Sequence, residues 1–131
     1  MRQEDKDLLI QDLCARLPYG VKIKTSYNKM DEPIELRFVN PRNESFAIGS
    51  SFTLISGLDF DTYECKPYLF PMSSMTKEQY DEFTDMGYSV TERWWSMANY
   101  HQIKWLNKNH FDYRGLIEKG LAIDATNKNI Y

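Results

Sequence analysis

The chain has 131 residues, enough for one domain that buries roughly two-thirds of its unfolded surface without covalent staples. Hydrophobic residues make up 42% and charged residues 27%, which excludes wholesale disorder. The formal charge of −3 excludes a generic nucleic-acid clamp, because neither residues 1–59 (8 basic, 9 acidic) nor residues 60–131 (8 basic, 10 acidic) carry a basic excess. Aromatic residues, at 15%, are the surplus.

Residues 1–7 are not net basic, and Leu8, Leu9 and Ile10 form too short an apolar run for a signal peptide. No stretch approaches the roughly 20 apolar residues that span a bilayer. The expectation is a cytoplasmic protein with Cys14 and Cys65 reduced.

The first helix is predicted over residues 4–17. Leu9, Ile10, Leu13, Cys14 and Leu17 recur at helical spacing and face the core, while Asp5, Lys6, Asp7 and Asp12 take the wet side. Pro18-Tyr19-Gly20 ends it. Residues 21–71 then alternate like strands. Val21, Ile23 and Thr25 form one, and Ile34, Leu36 and Phe38 a second that pairs with it as a hairpin. Short strands follow at 46–48 and 52–55, with turns at 49–51 and 57–61. The extended run 62–70 carries Pro67 and is followed by Pro71, which places it on an edge or at a bulge.

Helical signals take over after Pro71. Thr76 with Gln79 makes a capping box, Tyr80, Phe83 and Met86 face inward, and Gly87 closes the helix. Ser89 with Glu92 opens a second helix running to about residue 107. A short helix at 113–119 ends at Gly120, Leu121, Ile123 and Ala125 alternate as a last strand, and Ile130 and Tyr131 dock. The predicted architecture is a single α+β domain over residues 1–131. An N-terminal helix precedes a strongly bent antiparallel sheet or small SH3-like barrel (about 21–71), with C-terminal helices (about 76–120) packed on it.

Of the 19 aromatic residues, 14 lie from Phe60 onward, most densely over residues 94–106. Trp94 and Trp105 share one stripe of that helix with Trp95 beside it, whereas Met97, Tyr100, His101 and Ile103 extend the candidate site around it. A helix apolar on more than one side is either sandwiched within the fold or offers a partner surface. These seven residues are the binding candidates, for a protein partner, a second copy or a small ligand such as a nucleotide.

His101 and His110 are nine positions apart and lack the spacing of a metalloprotease helix. Cys14 and Cys65 form no Cys-x-x-Cys pair, so no metal site and no cofactor is expected. No phosphate loop, calcium loop or serine-hydrolase elbow occurs. His110, Asp112 and Arg114, with Tyr113 between them, bring an imidazole, a carboxylate and a guanidinium within five positions. They can build an acid/base or anion site, or equally a helix cap with a surface ion pair.

Residues 12–21 (DLCARLPYGV), 66–76 (KPYLFPMSSMT) and 110–122 (HFDYRGLIEKGLA) together resemble a group of small uncharacterised proteins encoded in bacterial prophages and mobile elements. The resemblance spans the first twenty residues and most of the second half, and brings no catalytic residue with it. It implies an accessory protein acting inside a bacterial host cell, of the kind that binds, blocks or sequesters. The functional expectation is therefore a non-enzymatic, self-associating or partner-binding module. A small-ligand or nucleotide binder with an aromatic-lined site is the alternative, and an enzyme using His110, Asp112 and Arg114 the second.

Overall fold

The computed structural model describes residues 1–29, 31–49, 52–87 and 98–131. Helix α1 (Gln3–Arg16) begins with Glu4 and Asp5 and ends with Arg16, charges that suit the two poles of its dipole. Leu9, Ile10 and Leu13 are buried against the sheet as their spacing requires. The flanks of that stripe differ from expectation. Cys14 is exposed, whereas Asp12, Arg16 and Lys6 are buried. Each buried charge has found a partner: Lys6 reaches Asp61 at 2.8 Å and Glu44 at 3.1 Å, and Arg16 clasps Asp12. Polar side chains at i and i+4 read as a solvated face in sequence, but distant partners make this a polar stripe of the core.

Five strands follow: β1 (Lys22–Thr25), β2 (Ile34–Asn40), β3 (Ser45–Gly49), β4 (Leu54–Asp59) and β5 (Cys65–Pro71). They run antiparallel, and the spatial order is β4-β3-β2-β1-β5, bent by register shifts between Leu36 and Phe38 and between Phe46 and Ile48. Two short C-terminal strands, β6 (Phe111–Asp112) and β7 (Ile123–Asp124), add to β5 in parallel. The α+β class holds. The sheet is mixed and open, however, and not an SH3-like barrel, because strands beyond β5 extend it instead of returning to β4.

Strand β4 starts at Leu54, two residues later than the pattern suggests, and continues through Gly57. Gly57 tolerates a φ of 73° that a side chain resists, so the expected turn shifts to residues 60–63. Pro67 lies in an interior strand, not on a sheet edge. It fits because β1 lines this part of β5 while β7 and β6 pair only from Tyr68 onward.

The helices flanking the second half are short. Helix α2 (Lys77–Asp85) carries the expected Thr76/Gln79 capping box. Helix α3 (Tyr100–Lys108) opens at its own box, Asn99 with Gln102, and is not a continuation of a helix reaching back to Ser89; Ser89 and Glu92 lie outside the described residues. The segment after Tyr113 makes one turn, not a helix. Asp112 accepts the Leu116 and Ile117 N–H groups, and Leu121 N–H closes on Leu116 O. One apolar cluster lies between α1 and the sheet. A second joins Met72, Phe83, Trp105, Leu106, Phe111 and Tyr113 under α2 and α3.

Candidate functional site

The end of α3 and the chain's last residues build the site around His110. Asn109 caps α3, and His110 follows in the left-handed region at φ 61°, where its N–H reaches Asn107 O and its C=O accepts Phe70 N–H at 2.8 Å. Both backbone groups are thus fixed, one to a helix end and one to the sheet. The ring is 7% exposed and stacks on Tyr131, centroids 3.7 Å apart and planes within 11°. Burial, and next the nearby Arg16 guanidinium, lower its pKa to about 4, so the imidazole is neutral at pH 7. Nδ1 is enclosed and meets no donor or acceptor, which leaves Nε2 as the nitrogen open to exchange protons or bonds.

Tyr131 is held as firmly as the ring it covers. Its hydroxyl accepts the Lys22 N–H at 3.0 Å and donates to Tyr68 O at 2.8 Å, while Lys22 Nζ donates to Ile130 O. Its ring also lies 6.0 Å from that of Phe70. Between these rings and the start of α2 is an open cleft of about 520 Å³, a size that suits a small molecule. Phe70, Phe111 and Tyr131 give it apolar walls, and Thr76, Lys108 and His110 are among its polar lining.

Behind the cleft lies a buried polar cluster. Asp12 accepts from Arg16 Nε at 2.8 Å and from Arg114 Nη1 at 2.7 Å, and Arg16 Nη2 donates to Phe111 O at 2.6 Å. The Tyr113 ring lies near both guanidiniums, 5.4 Å from that of Arg16 and 4.5 Å from that of Arg114, and its hydroxyl donates to Asn107. This cluster fixes α1 against β6 and brings a permanent positive charge close to His110.

The structure therefore separates the polar residues singled out in sequence. His110 lines the cleft, Asp112 caps the following turn, and Arg114 belongs to the Asp12 cluster; no hydrogen bond joins the three into one acid/base set. Of the aromatic-helix candidates, Trp105 is core, stacked on Phe111 with its Nε1 donating to Glu82. Ile103 packs against the second cluster, while Tyr100 (73% exposed) and His101 face outward. Trp94, Trp95 and Met97 lie outside the described residues. Phe70, Lys108 and Tyr131 are the site residues that sequence reasoning missed. The expected docking of Ile130 and Tyr131 is the one signal that pointed there.

Among the described residues no group of three His, Cys, Asp or Glu side chains is placed to hold a metal ion, and no helix is long and apolar enough to cross a membrane. No protein-family model, curated protein or solved structure matches the chain.

Proposed function

We propose that the protein is a small-ligand-binding module whose site is the cleft at His110. The observation that carries this reading is a buried, neutral imidazole with an open Nε2, clamped by backbone bonds and by Tyr131, at the wall of a cleft of about 520 Å³. The aromatic-lined site expected for a small ligand is thereby relocated from residues 94–105 to Phe70, Phe111 and Tyr131. With this reading goes the setting implied by the sequence resemblance, a prophage accessory protein that sequesters a ligand in the bacterial cytoplasm. The test is a thermal-shift screen against nucleotides, cyclic nucleotides and small aromatic acids. A ligand that binds the native state raises the melting temperature by several degrees once well above its Kd. Absence of any shift across the panel sinks the reading.

A second reading, a protein-interaction module, is favoured by exposed apolar side chains that do not line the cleft. Phe38 (54% exposed) and Leu54 (64% exposed) lie outward on β2 and the terminal strand β4, and Tyr100 projects from α3. Self-association through the sheet makes sedimentation concentration-dependent, and Phe38→Ser with Leu54→Ser removes that dependence. A monomer at all concentrations counts against the self-associating form.

A further inference from the structure

We propose that the cleft takes a small organic anion, its carboxylate or phosphate held by the Lys108 ammonium and the Nε2–H of His110, its apolar body against Phe70. This deepens the small-ligand reading and rests on it. Three observations converge. First, Lys108 is the single charged side chain of the lining, no Asp or Glu side chain lines the cleft, and Lys108 forms no ion pair among the described residues. A cation exposed without a counter-charge beside apolar walls is a standing attraction for an anion.

Second, the proton of the neutral imidazole belongs on Nε2. Nδ1 is enclosed without an acceptor, and a buried N–H left unbonded costs more than the same N–H turned to the cleft. His110 therefore presents a donor there. The groups facing its ring are the Arg16 guanidinium from α1 and the Tyr131 phenol from the tail, with Lys108 two positions before it on α3. Behind the ring Asp12 is shared between Arg16 and Arg114, so that cluster keeps one positive charge in excess, and together with Lys108 it favours a negatively charged guest. Third, Gln79 uses its Oε1 to accept the Thr76 N–H, so the part of its carboxamide left for a guest is the NH₂ donor. Thr126 and Asn127 add groups able to donate or accept.

The experiment pairs charged with neutral probes of equal shape. Binding of benzoate against benzamide, and of adenosine monophosphate against adenosine, is measured by calorimetry, with inorganic phosphate alone as a further arm. The His110 Cε1–H resonance is followed by NMR across pH. In the expected result one anion of the two pairs binds at least ten-fold more tightly than its neutral partner. Lys108→Gln then weakens that anion about five-fold or more and Lys108→Glu abolishes it. The bound anion also moves the His110 titration upward, because it offsets the positive charge of Arg16. The benzoate and nucleotide arms tell a carboxylate guest from a phosphate one. Neutral probes binding as tightly as charged ones, or Lys108→Glu leaving affinity intact, overturns the anion inference while the small-ligand reading stands. No heat and no resonance shift with any probe overturns both. Lys108 is exposed, so its variants keep the fold, and thermal melting of each confirms this.

Discussion

Asp12 meets two guanidiniums with one carboxylate, all three largely removed from water. Removing the carboxylate leaves Arg16 buried without its counter-charge, so Asp12→Ala costs about 3–5 kcal/mol in urea unfolding. Asp12→Asn costs less, since it keeps an acceptor. Periodicity placed Asp12 in solvent and Cys14 in the core because a buried ion pair has the same spelling as a wet one; the carbonyl that Arg16 also needs lies 95 residues away. His110 gives a second prediction. It is neutral when folded, down to about pH 4, but takes a proton near pH 6.5 when unfolded, so the unfolded chain binds the extra proton between those values. The His110 contribution is level above pH 6.5, falls as pH drops to about 4, and is level again below. The loss is about 2 kcal/mol once solvent access to Nε2 is allowed for. His110→Phe removes this component from the pH profile, which chemical denaturation at a series of pH values reads directly.

At the scale of elements, α2 and α3 are joined by the Phe83–Trp105 contact and by a buried carboxamide. Gln102, fully buried, accepts the Asn99 N–H at 3.1 Å through Oε1 and donates through Nε2 to Phe83 O at 3.1 Å, at the end of α2. Asn99 in turn donates to Met86 O at 2.8 Å. Gln102→Ala leaves buried backbone groups unpaired and costs about 2–3 kcal/mol by thermal or urea unfolding. Gly87 sits against both amides; a methyl there collides with the Asn99 and Gln102 side chains, so Gly87→Ala is destabilising as well. The first capping box was legible because Thr76 and Gln79 satisfy a local rule, with nothing distant required. The true start of α3 was not, since Ser89/Glu92 and Asn99/Gln102 spell the same kind of box, and the bonds that Asn99 and Gln102 make to the end of α2 leave no local signature. Pattern also favoured an all-antiparallel sheet, because two-residue parallel strands are too short to leave a period.

For the whole molecule, Tyr131 is the fastening of the C-terminal segment. Its hydroxyl bridges β1 and β5 while its ring covers His110. Tyr131→Phe deletes two hydrogen bonds and costs about 1–2 kcal/mol. Tyr131→Ala also uncovers the imidazole and costs more. Hydrogen exchange at the Ala125 amide, bonded to Leu69 O, quickens in the same order. If exchange there is unchanged in both variants, the tail is held by something other than Tyr131. The site was hard to read from sequence for the same reason: its walls come from residues 70–79, 108–111 and 126–131, and only the fold brings them together.

That fastening also sets an order of events during synthesis. The β1–β4 meander and α1 are complete once residue 59 has emerged, and they can pair while the remainder is still being made. The cleft cannot, because its clamp arrives with residue 131. A chain halted short of residue 131 thus carries a nearly finished sheet but no competent site, and a ligand finds the pocket only once Tyr131 has docked.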